Sequence, residues 1–129
     1  MRLFAAMKIV LQGEDAILLV ATEGMLTIEA DSADQSYSPF HMLGSALAYC
    51  TFSVLHSWAT QTDLDVGDPQ IRVAWEFAES PHRVGRMHMQ LGWPALPENR
   101  RVAAQRAATL CAVHATLSHT VPIETELKA

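Results

Sequence analysis

Between Gln35 and Thr62 the chain carries no Asp, Glu, Lys or Arg. A segment without charge has no strongly solvated face, so this one is not a surface element. Basic residues are scarce overall: Lys and Arg number 9 against 14 Asp and Glu, giving a net charge of −5. That balance argues against nucleic acid or an anionic membrane surface as a partner, because both need a basic footprint. Cysteine is limited to Cys50 and Cys111. Two cysteines so far apart fit no zinc-ligand spacing, and no Cys-x-x-Cys pair is present, so no metal and no other cofactor is expected. The opening residues, MRLFAAMKIVLQ, do not read as a signal peptide: Lys8 interrupts the apolar run and no small-residue cleavage site follows. The expected location is the cytoplasm, where two cysteines are thiols more often than a disulfide. There is no repeat, low-complexity tract or linker, and 129 residues is the size of one domain.

What fills the uncharged stretch is a helix pattern, SPFHMLGSALAYCTFSVLHSWATQT, residues 38–62. Ser38 is a good cap, and Pro39 suits the first helical position because its missing N–H would be unpaired there anyway. The predicted helix is roughly 37 Å long. Apolar residues lie on every side of it, which is the signature of a buried helix. The length would also suit a membrane span. However, both flanks are acidic (Asp31 and Asp34; Asp63, Asp65 and Asp68), and no Lys or Arg stands near either end to orient a span. We read it as a helix buried in a soluble protein. Gly44, Ser45, Ala46 and Ala48 allow another backbone to approach closely. So short a chain has little with which to cover such a helix, which favours an oligomer.

Residues 2–12, 16–21 and 25–30 read as three strands in a meander, with turns at Gly13-Glu14-Asp15 and Glu23-Gly24. After a polar loop and the long helix, Asp63, Gly67, Asp68 and Pro69 are breakers. Residues 70–78 alternate, with Ile71, Val73, Trp75 and Phe77 on one face. Residues 82–93 form a less regular strand with Val84, Met87, Met89 and Leu91. Residues 98–110 are an amphipathic helix, with Val102, Ala103, Ala107 and Leu110 as core candidates. Residues 112–118 add a helical turn or two, and 121–127 alternate as a last strand. The order β-β-β-α-β-β-α-β predicts an α+β fold with a mostly antiparallel sheet.

From residue type alone, Cys50 and Cys111 are two buried structural thiols. Their surroundings add a resemblance. Ser38-Pro39-x-x-x-Leu43-x-x-Ala46-Leu47-Ala48-x-Cys50-Thr51 resembles the first signature of the OsmC/Ohr family. There, Ser/Asn-Pro, an acidic residue, leucines and small residues lead to a cysteine at the same distance. Cys111-x-Val113-x-x-x-Leu117, followed by Pro122-Ile123-Glu124-Thr125-Glu126-Leu127, resembles the second signature. The resemblance covers essentially all of residues 1–129 as one OsmC-like domain. It implies an intertwined homodimer built around paired long helices, and a thiol peroxidase that reduces organic hydroperoxides. It also implies that Cys50 attacks the peroxide and becomes sulfenic acid, that Cys111 resolves it as a disulfide, and that an external dithiol reduces the pair.

The chain departs from that family at three places. The acidic residue expected after Pro39 is replaced by Phe40 and His41. There is no Arg between Arg2 and Arg72 where the family's thiolate-stabilising Arg belongs, and Ala112 stands where a Pro usually follows the second cysteine. Supporting candidates are His41 and His114, as cations or hydrogen-bond donors, and Arg83 and Arg86, as cations from a strand. The plainer reading makes His41 a first-turn residue, exposed or capped locally, His114 an exposed turn residue and the two arginines solvated edge residues. His56 and His88 read as structural. Trp58, Trp75, Phe77 and Trp93 read as core or pocket wall, and Met42, Met87 and Met89 as core or the lining of an apolar pocket. Two functions follow as expectations: an organic hydroperoxide reductase, or a non-peroxidatic relative that binds a small apolar ligand or responds to redox state.

Overall fold

The computed structural model describes residues 7–22, 25–64, 67 and 69–128. The chain runs β1 (Met7–Leu11), β2 (Ala16–Ala21), β3 (Thr27–Ala30), α1 (Pro39–Gln61), β4 (Gln70–Ala78), β5 (Arg83–Gly92), a 3-10 turn (Glu98–Arg100), α2 (Arg101–Ala108) and α3 (Ala112–Ser118). It is an α+β fold with one five-stranded sheet in the order β3-β1-β2-β4-β5. Three of its four pairings are antiparallel, and β3 runs parallel to β1.

The expected meander of the first three strands does not form. β3 lies beside β1 rather than β2, with Ile9 opposite Ile28. β2 (AILLVA) has the apolar run of a central strand and is held between β1 and β4. β3 is exposed throughout and takes an edge. The expected Glu23-Gly24 turn, the beginning of the first predicted strand, and Asp65 and Asp68 lie outside the described residues.

One face of the sheet packs against α1. Ile9 and Leu11 of β1, Ile17 and Leu19 of β2, and Ile71, Val73 and Trp75 of β4 share that face through the strand register and are all buried. Phe77 departs from the expected pattern. The ladder shifts register between Glu76 and Phe77, and Phe77 is 42% exposed. It stacks on His82 and meets Phe40 edge-on, with ring centroids 4.9 Å apart in the latter pair.

The helix α1 is fixed at both ends. Ser38 Oγ accepts from the N–H groups of Phe40 and His41, and Ser38 N–H donates to His41 Nδ1 at 3.0 Å. This is a capping box with histidine in the position usually held by Glu or Gln. At the other end Leu64 N–H donates to Ala59 O at 2.8 Å and Asp63 N–H to Thr60 O at 3.3 Å. Asp63 sits at φ 58°, the left-handed residue of a Schellman motif. Between the caps, Leu47, Ala48, Thr51, Phe52, Leu55 and Ala59 are buried. Gly44 is where the helix comes closest to the sheet: a Cβ there would lie 2.7 Å from a ring carbon of Trp75.

Two further expectations are corrected. α2 buries Ala104, Ala107 and Ala108, while Leu110 is 77% exposed and Val102 is also exposed. The buried face is therefore rotated from the one expected. Residues 119–128 form no strand, although Val121, Ile123 and Leu127 alternate. Leu127 is 99% exposed, and among the described residues no strand pairs with this segment. Among the described residues no helix is long and apolar enough to cross a membrane.

Gly44→Ala tests the close approach of α1 to the sheet. Helix propensity alone would stabilise the variant by about 1 kcal/mol. The buried Trp75 ring leaves no room for the methyl group, and overpacking costs about 1–3 kcal/mol. Denaturant unfolding should therefore show net destabilisation; a stabilised variant would contradict this packing.

Candidate active site

Cys50 lies in the middle of α1 and is partly buried, whereas Cys111 lies in the turn between α2 and α3 and is wholly buried. The helix packs against both α2 and α3, which brings the two cysteines together. They are free thiols, and their side chains are close neighbours. Cys111 also caps α3: its Sγ accepts the N–H of His114 at 3.3 Å.

Burial raises the Cys111 pKa above the ordinary 9.0, and the neighbouring Cys50 thiol adds to the rise. The His114 N–H and the Thr51 hydroxyl act in the opposite direction but do not overcome it. Thr51 Oγ1 is buried and meets no partner in good hydrogen-bond geometry, so its influence on the sulfur is that of a nearby dipole. Cys111 therefore keeps its proton, while Cys50 is the thiol with access to solvent. This asymmetry suits one attacking and one resolving sulfur.

Two clefts adjoin α3. One, of about 740 Å³, lies between β5 and α2 and is lined by His88, Met89, Leu91, Trp93, Arg101 and Ala108 among others. The other, of about 490 Å³, is lined by Leu43, Leu47, Val84, Arg86, Met87 and Leu117 among others. Both volumes are in the range of small-molecule sites. Met89 and His114 border both.

The four supporting candidates are not equivalent. His41 is buried in the cap of α1. Because Nδ1 accepts from Ser38 N–H, Nε2 carries the hydrogen and donates to Gly13 O at 2.9 Å. The ring also meets Trp75 edge-on, with centroids 5.4 Å apart. Nine residues of helix, roughly 14 Å, separate it from Cys50 along α1. Arg83 donates to the carbonyls of Glu79 and Pro81 at 3.0 and 2.8 Å. Arg86 borders the smaller cleft. His114 alone is tied to a cysteine, through its backbone. Arg72 donates to Gln12 and Arg101 pairs with Glu98; among the described residues no Arg or Lys is bonded to either thiol. Nor do the described residues hold a His, Cys, Asp and Glu cluster suited to a metal ion.

Sequence reasoning missed Thr51 as a neighbour of Cys111, which no motif spacing signals. It also missed Cys111 as a helix cap. The three-residue step from Cys111 to His114 was a visible clue, since a cap reaches the N–H two or three residues on.

The OsmC-like protein family profile matches residues 32–126. No curated protein matches the chain. Among solved structures, an OsmC-like hydroperoxide resistance protein from Jannaschia sp. CCS1 is similar with a TM-score of 0.59 at 18% identity, over 92% of this chain and 88% of that one. A Psychrobacter arcticus 273-4 protein, named for osmotic stress induction and detoxification response, is similar with a TM-score of 0.59 at 17% identity, over 88% of each chain. At these identities the likeness shows a shared fold.

The thiol asymmetry has a measurable consequence. Alkylation by iodoacetamide, followed by peptide mass, should label Cys50 first. Labelling of Cys111 should keep rising beyond pH 9.0, because only the thiolate reacts. The folded chain holds the Cys111 proton more tightly than the unfolded chain does. Its contribution to stability is therefore complete below that pH and is lost as pH rises past it. Labelling of Cys111 ahead of Cys50 would contradict the arrangement.

Proposed function

The chain belongs to the OsmC-like protein family, and from that premise we propose that it is a thiol peroxidase that reduces organic hydroperoxides with Cys50 and Cys111. The observation that carries this reading is the contact between a partly exposed thiol and a wholly buried, protonated one. Cys50 thiolate attacks the peroxide O–O bond, becoming sulfenic acid and releasing an alcohol. Cys111 then attacks the sulfenic sulfur, a disulfide forms, and water leaves with the Cys111 proton. An external dithiol returns both thiols. The clefts beside α3 would admit a substrate with an apolar body. The similar Jannaschia protein is itself named for hydroperoxide resistance.

The working unit in this proposal is a cytoplasmic homodimer. In one copy, Met42 of α1 is half-exposed, and Val121, Ile123 and Leu127 are uncovered; a second copy would cover such residues. A second reading draws on the lack of an Arg or Lys bonded to either thiol among the described residues. Without a cation the thiolate is less favoured, and the protein would bind a small apolar ligand or respond to redox state without fast turnover.

Cys50→Ala should abolish turnover of cumene hydroperoxide in the presence of a dithiol. Cys111→Ser should still consume one equivalent, and dimedone should then trap sulfenic acid at Cys50. Full activity in Cys50→Ala would remove the peroxidase reading. Slow peroxide consumption by the unaltered protein, with Cys50 titrating near the free thiol value of about 8.5, would favour the second.

A further inference from the structure

Cys111 is both a candidate redox group and the N-cap of α3. Its Sγ accepts the His114 N–H at 3.3 Å, and its carbonyl accepts the Ala115 N–H at 3.0 Å. The sulfur thus satisfies one of the N–H groups that every helix leaves open at its start. α3 has little else to hold it. It is seven residues long and none of them is buried; only Val113 and His114 are half-buried. Isolated helices shorter than about 12–15 residues are marginal in water. Residues 119–128, which follow, are exposed.

The other sulfur belongs to a very different element. Cys50 sits in α1, a helix of 23 residues capped at both ends, with Leu47, Ala48, Thr51 and Phe52 buried around it. Forming a bond between the two thiols draws their sulfurs from non-bonded contact to bonding distance, so one of them must move. α1 cannot follow without uncovering apolar surface. α3 has almost none to uncover. The displacement therefore falls on Cys111 and takes its sulfur out of line with the His114 N–H, a bond that is weak to begin with because sulfur is a poor acceptor.

We propose that α3 is a redox-dependent flap: oxidation of Cys50 and Cys111 to a disulfide withdraws the cap, and α3 is released. The proposal rests on the peroxidase reading for its natural oxidant. In that reaction the two thiols lose two protons and two electrons to the hydroperoxide. The O–O bond breaks, the S–S bond forms, and alcohol and water leave. A dithiol returns the protons and electrons, and the restored Cys111 thiol caps α3 again. The clefts feel the change. α3 contributes His114 to the larger cleft and His114, Leu117 and Ser118 to the smaller, so it is a wall of both. While α3 is seated, Cys111 is wholly buried. Its release opens that wall and gives an external dithiol a route to the disulfide. The peroxide thus meets the closed form and the reductant the open one.

Amide hydrogen exchange over residues 112–118 of the full chain, read by peptide mass, tests the flap. Diamide supplies the oxidant, because it joins thiols without any peroxide and so separates the flap from peroxidase turnover. Once intact mass shows the intramolecular disulfide, exchange over 112–118 should be about fivefold faster or more. Peptides from α1 should be unchanged, and dithiothreitol should restore the slow exchange. Cys111→Ala lacks the cap and should exchange fast even when reduced. Cys111→Ser keeps a good cap and cannot form the bond, so it should stay slow with diamide, as should Cys50→Ala. Equal exchange in the thiol and disulfide forms, or slow exchange in Cys111→Ala, would overturn the proposal and leave the peroxidase reading standing. Failure of diamide to form the disulfide would overturn it together with the paired-thiol reading. Release of α3 in a protein that consumes peroxide slowly would support the flap and remove the peroxidase reading alone.

Discussion

The close packing of α1 on the sheet is the constraint on which the rest depends. Gly44 lets the helix approach Trp75, and Leu47, Phe52 and Leu55 fill the space beyond. An uncharged helix set this deep can neither slide nor fray without exposing apolar surface or orphaned backbone groups. Both ends are therefore tied: His41 joins the first turn to Gly13 in the β1–β2 loop, and a Schellman motif closes the last. The same loop accepts Trp75 N–H at Asp15 O, 2.9 Å, so hairpin, helix and central strand meet at one place.

With α1 held, the position of Cys50 is fixed, and the second half of the chain brings Cys111 to it. Three small buried residues, Ala104, Ala107 and Ala108, let α2 lie close to the core. The turn that follows delivers a cysteine that both caps α3 and meets the thiol of Cys50. One sulfur thus carries structural and chemical roles at once. Its burial keeps it protonated, and its contact with a more accessible thiol gives the pair a direction. Capping links α3, and with it His114 and the walls of both clefts, to the state of that sulfur.

Much of this was legible in the sequence where a local rule dominates. Ser38-Pro39 and Asp63 mark the ends of α1 because capping is a short-range interaction. β2 and β4 were bounded by turns, β2 by its apolar run and β4 by apolar alternation. Strand neighbours were not legible: alternation says which residues share a face, but not which strand lies alongside, so β3 was put next to β2. Residues 121–127 have a strand's pattern, but a strand exists only with a partner, and the described residues offer none. The alanine-rich α2 has too weak a pattern to say which side is buried, and the register shift at Phe77 arises from the pairing with β5. At the site, the cysteines were picked out by their surroundings. The helix-capping role of Cys111 and the influence of Thr51 depend on how α2, α3 and α1 pack, which no spacing reports.

The central claim is that Cys50 and Cys111 act as a pair within one chain. The most direct measurement is to treat the reduced protein with one equivalent of cumene hydroperoxide and follow free thiols and intact mass. Loss of both thiols with a mass drop of about two hydrogens is expected for an intramolecular disulfide. Thiols that persist, or a product of doubled mass linked between chains, would contradict it.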